Sequence, residues 1–405
     1  MNGNHKDKKH QPSAKKVDRK IQGLGRLTIE AVLAITEIVE SLHQRISPLS
    51  VEKSASDKEQ VSGLGGMVYR NIRHVTEWVG KSIDAPLATL SKALLTQPDS
   101  SSTQALLAVL NGVLGDHLVL SDNALAIPMH FRKQGQILND VQLRDVIKQS
   151  NGKLLIMAHG LCMNDLQWHR DGHDHGAELA KESGMAAIYL HYKTGQHIWH
   201  NGKQFASLLE SLVNLTDKKL DINILAHSMG GLVSRSALYQ AKKLAHKWPE
   251  RLNKLVFLGT PHHGASLEQV ANWLDLILGV HPYTVPFARL LTVRSAGITD
   301  LRYGYVQELD CHTSDRFEFS GDQRLPLSLP DDVQCFAIAT SADKSENCVL
   351  GDGLVSINSA LGRHKDPAFD LQIVDYRTWT GTQINHMQLL SDPKVYHVLK
   401  TWFEI

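Results

Sequence analysis

The residues that offer the clearest chemistry surround Ser228. Residues 221–226 predict an apolar strand, and a helix is expected to start directly after the serine. Two small residues, Ala226 and Gly230, stand two positions before and two positions after Ser228. A strand-to-helix turn this sharp needs small flanking residues and is typical of an exposed nucleophile. We therefore predict that Ser228 Oγ attacks a carbonyl carbon and that the backbone N–H of Met229 faces the negative charge that develops there.

A second N–H donor is needed to complete an oxyanion hole, and the sequence after the predicted strand at 153–158 offers one. This strand ends in His159-Gly160, and a glycine lets the backbone approach a substrate closely. The next N–H belongs to Leu161. We predict that Leu161 and Met229 together form the oxyanion hole, although His159-Gly160 could also simply end the strand.

When a serine nucleophile lies at a strand-to-helix turn of a mostly parallel sheet, the base is expected in the loop after the last strand of that sheet. We predict that strand at 371–376, and His386 is the only histidine between it and the final helix. The base would take the proton of Ser228 as the serine attacks, and water would then hydrolyse the acyl-enzyme.

The acid is expected after the preceding strand, predicted at 333–340. Asp352 follows this strand with a glycine on either side, which would let it turn inward to orient the base. Three other carboxylates stay open as alternatives: Asp343, Glu346 and Asp375.

These motifs resemble those of serine lipases and esterases of the α/β-hydrolase fold, in particular the bacterial lipase-like and GPI inositol-deacylase-like groups. The sequences that carry the resemblance are Ala226-His227-Ser228-Met229-Gly230-Gly231, Leu258-Gly259-Thr260-Pro261-His262-His263-Gly264 and Gly351-Asp352-Gly353-Leu354-Val355. The order Ser228, Asp352, His386 is also the order of that fold. The resemblance covers about residues 119–405 and implies hydrolysis of acyl or lipid esters. A thioesterase or amidase would use the same groups, and an inactive hydrolase fold could serve as a binding module.

The elements around these residues predict an α/β protein with a mostly parallel sheet covered by helices on both faces. Strand patterns alternate with helical patterns throughout residues 119–405, which we assign to this domain. Residues 1–20 predict a disordered basic tail and residues 21–118 a helical extension. Within the domain, residues 264–330 exceed a simple crossover and are expected to form an apolar cap or an ordinary core helix.

Composition limits the binding partners and the cellular location that we expect for this protein. A formal net charge of +1 argues against a protein that coats nucleic acid. No signal peptide and no long apolar run is visible, so a cytoplasmic location is expected, and peripheral contact with a membrane stays open. Reduced thiols are the default for four sparse cysteines, with a Cys335–Cys348 disulfide as the alternative. The sequence does not indicate an oligomeric state.

One segment could bind a metal. Residues 169–175 contain His169, His173 and His175 with Asp171 and Asp174, a spacing that can chelate zinc. The same segment could instead lead into a helix, with Asp174 as its N-cap. We favour the helix start and predict that the reaction needs neither a metal nor an organic cofactor.

Overall fold

The computed structural model describes residues 87, 88, 90–92, 94, 100–265, 295–310, 324–344 and 351–405. The predicted basic tail at 1–20 lies outside these ranges, as do much of the predicted extension and much of the predicted cap. Contacts divide the chain into two units between Pro98 and Asp99. The second unit therefore begins before the predicted boundary at 118/119, and its first helix belongs to the residues that we assigned to the extension.

One sheet of eight strands forms the centre of the second unit. Its strands are β1 (His130–Lys133), β2 (Gln136–Ile137), β3 (Lys153–Ala158), β4 (Ala186–His191), β5 (Asp221–His227), β6 (Leu252–Leu258), β7 (Gln334–Ser341) and β8 (Thr378–Thr382). Their order is β2-β1-β4-β3-β5-β6-β7-β8. The strands from β4 to β8 in this order pair in parallel, whereas β1 pairs antiparallel with both of its neighbours.

The described helices of this unit connect and cover the strands. They are α1 (Ser101–Val113), α2 (Gly115–Leu120), α3 (Asp140–Gln149), α4 (His175–Ser183), α5 (Ile198–Val213), α6 (Met229–Lys243), α7 (Ala296–Tyr303), α8 (Ile357–Ala360) and α9 (Pro393–Trp402). Helix α6 packs against β3, β5 and β6 and also against α5. Parallel strands joined by helices read as continuous apolar runs, and β3, β5 and β6 are buried along nearly their whole length.

The strands β3, β5 and β7 lie where the sequence predicts them and differ at most at their ends. The last strand does not. Of residues 371–376, which we predicted as this strand, 371–374 are irregular and the rest begin a short 3-10 helix, Asp375–Arg377; β8 follows at Thr378–Thr382. Apolar residues drew the prediction to the earlier segment, but Val374 is 45% exposed and Tyr376 is 76% exposed. The true strand is an edge strand rich in threonine, a composition that suits a half-exposed position.

The carboxyl end of β5 identifies the fold. This strand runs directly into Ser228, and α6 begins at the next residue. A mostly parallel sheet with a serine at this strand-to-helix turn is the α/β-hydrolase fold, so the predicted fold class is confirmed.

None of the helices in the described ranges combines the length and the apolar character that crossing a bilayer requires. Cys335 is a free buried thiol, and Cys348, its alternative disulfide partner, lies outside the described residues.

Candidate active site

Ser228 occupies a strained turn at the centre of the sheet. Its φ of 53° and ψ of −125° form a backbone conformation that a non-glycine residue rarely adopts. Two hydrogen bonds hold this conformation: the Ser228 N–H donates to Leu258 O at 2.9 Å, and the Gly231 N–H donates to Ser228 O at 3.0 Å. The start of α6 also lies close to the end of the neighbouring strand β3, because a Cβ on Gly230 would lie 2.4 Å from Ala158 O. The small residue after the serine is therefore a steric requirement.

Asp352 and His386 are joined by two hydrogen bonds. The imidazole Nδ1–H donates to Asp352 Oδ2 at 2.6 Å, and the His386 backbone N–H donates to Asp352 O at 3.1 Å. The other carboxylate oxygen accepts the N–H groups of Leu354 and Val355. Because an ionised carboxylate only accepts, the imidazole proton lies on Nδ1 and leaves Nε2 free to act as a base. Both side chains are buried, so water competes little for this contact.

His386 lies beside the serine turn but does not bond to the serine. Its ring centroid is 4.7 Å from that of His227, the residue before Ser228. Within the described part of the chain, His386 Nε2 is buried and has no hydrogen-bond partner. The structure thus brings Asp352 and His386 into direct contact and leaves the Ser228–His386 hydrogen bond unmade. Catalytic hydrogen bonds of this kind are often long or absent before a substrate binds.

The two predicted oxyanion donors lie at the loops that meet Ser228. Met229 is the first residue of α6, so its N–H has no intrahelical acceptor. Leu161 follows Gly160, where an added Cβ would lie 3.1 Å from Ser228 Cβ. Among the described residues, neither the Leu161 N–H nor the Met229 N–H donates to a backbone carbonyl outside regular helices and strands. Neither N–H group is therefore committed to such a backbone bond, as a donor to a substrate oxygen would need to be.

His227 also helps to hold His386 in place, a role that its sequence position does not indicate. It is fully buried, and its Nε2–H donates to the carbonyl oxygen of His386 at 3.2 Å. Burial and the neighbouring His386 hold the pKa of His227 well below its ordinary value, so the ring is neutral and keeps one N–H to donate. Its position beside the serine gave no sign of this role, because the contact joins residues far apart in sequence.

Neither of the two alternative acids that the structure describes is hydrogen-bonded to the His386 ring. Asp375 is exposed and forms a 3.3 Å ion pair with Arg363. Asp343 O accepts the N–H of Gln383, and the Asp343 N–H donates to Ser341 Oγ. Glu346 lies outside the described residues. Of the described candidates, Asp352 is the carboxylate in contact with His386.

The histidine-rich segment at 169–175 has structural partners. Asp174 is the N-cap of α4, as predicted, and accepts the Ala177 N–H at 2.9 Å and the Tyr189 hydroxyl. His175 is buried, and its Nε2 contacts Leu389 O at 3.0 Å while its Nδ1 contacts His173 Nε2 at 2.7 Å. In the ranges that the structure describes, no group of three or more histidine, cysteine or acidic residues is arranged to hold a metal ion.

Comparison with known proteins gives one family match. The family described as "Domain of unknown function (DUF7379)" matches residues 122–301. This range contains the serine turn and the predicted oxyanion loop but ends before Asp352 and His386. No curated protein sequence matches the chain significantly.

Several solved structures are similar in part. A Bacillus licheniformis lipase, BlEst2 in mature form, is 19% identical with a TM-score of 0.40, and the match covers 62% of this chain and 91% of the lipase. Aspergillus fumigatus lipase B is 10% identical with a TM-score of 0.38, covering 64% of this chain and 56% of that one. RedJ, a thioesterase of the Streptomyces coelicolor prodiginine pathway, is 13% identical with a TM-score of 0.35, covering 62% and 89%.

Proposed function

We propose that this protein is a serine hydrolase that cleaves carboxylic esters, with acyl or lipid esters as substrates, through an acyl-enzyme intermediate. The observation that supports this most strongly is the strained turn at Ser228 together with the buried Asp352–His386 pair, whose ring lies against His227 beside the serine. A nucleophile, a base and an acid that fixes the base are the parts that acyl transfer requires.

In the first step, Ser228 Oγ attacks the ester carbonyl carbon as His386 Nε2 accepts its proton. The carbonyl oxygen becomes negative and receives hydrogen bonds from the N–H groups of Leu161 and Met229. Asp352 stabilises the imidazolium through the existing 2.6 Å hydrogen bond. The C–O bond then breaks, and the imidazolium proton leaves with the alcohol. Water, deprotonated by His386, attacks the acyl-enzyme and releases the acid with the serine restored.

A panel of p-nitrophenyl esters with acyl chains from acetate to palmitate tests this function. We expect hydrolysis of the esters by the wild-type chain, and faster rates for longer acyl groups if residues 264–330 form the apolar cap and not the core helix that is the alternative for this segment. Equal rates at all lengths would contradict an acyl pocket. A matched thioester and anilide distinguish the substrate class: faster cleavage of either would indicate a thioesterase or an amidase. No cleavage of any substrate by folded protein would contradict the hydrolase and favour a binding module.

A further inference from the structure

Helix α1 lies against the loop that carries the predicted oxyanion donor. Its last turn contacts this loop at Gly112, where an added Cβ would lie 2.2 Å from Cys162 Sγ and 3.1 Å from the Cys162 backbone N and Cα. Both residues are buried. Real Cβ atoms do not come this close to another heavy atom, so the helix and the loop can meet only because position 112 has no side chain.

Cys162 is held in an unusual conformation. Its φ of 57° lies in the left-handed region, which a non-glycine residue enters at an energetic cost. Two hydrogen bonds hold the residue: the Cys162 N–H donates to Thr194 Oγ1 at 3.0 Å, and the thiol donates weakly to Val109 O of α1 at 4.0 Å. Burial raises the pKa of its thiol, which therefore stays protonated and packs as a small apolar group. A residue in this conformation redirects the backbone, and the peptide that it redirects follows Leu161.

The same end of α1 is fixed from two further sides. Asn111 O accepts the Gly195 N–H at 2.8 Å, and Gly112 O accepts the Ser295 hydroxyl at 2.8 Å. The Asn111 side chain also binds the chain beyond it, because its amide donates to Leu125 O at 2.8 Å. The carbonyls of this helix end are thus engaged by groups on separate loops, so the last turn is a fixed surface and not a fraying end.

These contacts form a continuous line from α1 to the nucleophile. Gly112 packs on Cys162, which follows Leu161 in the chain. Leu161 follows Gly160, and a Cβ added to Gly160 would lie 3.1 Å from Ser228 Cβ. Any displacement of the loop at Cys162 therefore moves the Leu161 N–H relative to Ser228. Oxyanion donors act over hydrogen-bond distances, so small displacements weaken them.

We propose that Gly112 and Cys162 are positioning residues of the oxyanion hole: α1, through their contact, sets the distance between the Leu161 N–H and Ser228. This inference rests on the proposed hydrolase function. It assigns to the residues before the sheet a part in the reaction that the family match, which begins at residue 122, does not include.

A size-exchange experiment tests this contact with the full-length chain. Gly112→Ala places a methyl group against Cys162 Sγ, and we expect kcat per active site to fall about tenfold to a hundredfold with KM within about threefold, because an oxyanion donor acts mainly in the transition state. Cys162→Ala removes the sulfur from the contact without pushing the loop away from α1, so it should lower kcat by less than Gly112→Ala does. The double variant Gly112→Ala/Cys162→Ala should recover most of the loss. Active sites are counted by fluorophosphonate titration, so misfolded protein does not enter kcat.

A second pair of variants changes Thr194, which contacts Cys162 from the side opposite α1. This pair tests the proposal if Gly112→Ala does not fold. Thr194→Val removes the oxygen that accepts the Cys162 N–H and should lower kcat at least about threefold, whereas Thr194→Ser keeps that acceptor and should restore it. Wild-type kcat in both Gly112→Ala and Thr194→Val, or a double variant no better than Gly112→Ala alone, would overturn the proposal. If the wild-type chain neither reacts with the fluorophosphonate nor cleaves esters, the hydrolase function itself fails, and the inference fails with it.

Discussion

Single residues in the candidate site are held by contacts that leave little freedom. The Asp352 carboxylate accepts from the N–H groups of Leu354 and Val355 and from His386 Nδ1, so both of its oxygens are engaged. His386 is in turn held through its carbonyl oxygen by His227. His386 Nε2, on the opposite edge of the ring from the acid, is buried without a hydrogen-bond partner in the described structure. A base oriented in this way has one atom left with which to take a proton.

Asp352→Asn is the residue-scale test of this arrangement. The amide NH2 can donate to His386 Nδ1 and so favours the tautomer with its proton on Nε2, and the amide carries no charge to stabilise the imidazolium. We expect kcat to fall by about three to four orders of magnitude, with little change in KM. Asp375→Asn is the matched control, because it removes an alternative acid that is exposed and paired with Arg363; its activity should match the wild type. A larger loss in Asp375→Asn than in Asp352→Asn would show that the acid is misassigned.

At the scale of elements, the sequence predicts most of what positions the site. The strands β3 and β5 end at Ala158 and His227, close to their predicted ends, because buried parallel strands have a strong apolar signal. The edge strand β8 has no such signal and was predicted in the wrong segment. The loop residue His386 was found nevertheless, because it follows either segment.

Contacts between distant parts of the chain could not be predicted. Nothing in the sequence around Gly112 indicates that its neighbour in space is Cys162, although α1, predicted as part of the helical extension, lies in the same unit as the sheet. The hydrogen bond from His227 to His386 O is hidden for the same reason. Local patterns report an element and its buried face, whereas packing partners depend on the assembled fold.

The start of α4 supplies an element-scale prediction. Asp174→Ala removes the acceptor of the Ala177 N–H and of the Tyr189 hydroxyl, and we expect the free energy of unfolding to fall by about 1–2 kcal/mol. Asp171→Ala is the control, since Asp171 is exposed and does not cap the helix. Denaturant titration measures both. If the segment is structural, EDTA should change neither the stability nor the esterase activity of the wild type; a loss of activity in EDTA would instead favour a metal site.

At the scale of the whole molecule, buried histidines are a prominent electrostatic feature. Burial lowers the pKa of His159 and His263 to about 4 and that of His175 to about 3. Burial also holds the pKa values of His191 and His262 well below the ordinary 6.5. Below about pH 6.5 the unfolded chain therefore binds more protons than the folded chain.

This difference predicts the direction in which stability changes with pH. The free energy of unfolding should be highest above about pH 6.5 and should fall as the pH drops from about 6.5 towards 4, because unfolding then takes up protons. Asp165 acts in the opposite sense, since burial raises its pKa, but it is one group against several. Denaturant titrations at pH 7.5, 6.5, 5.5 and 4.5 measure the trend. Equal or greater stability at pH 4.5 would contradict the buried, neutral state of these histidines.

The central claim is that Ser228 is an activated nucleophile, and reaction with a fluorophosphonate tests it most directly. Intact-mass and peptide analysis of the full-length chain should show one covalent adduct, on the peptide that contains Ser228. Ser228→Ala should show none, while Ser207→Ala, a change of an exposed serine on α5, should react like the wild type. No adduct on folded wild-type protein, or an adduct that persists in Ser228→Ala, would contradict the account.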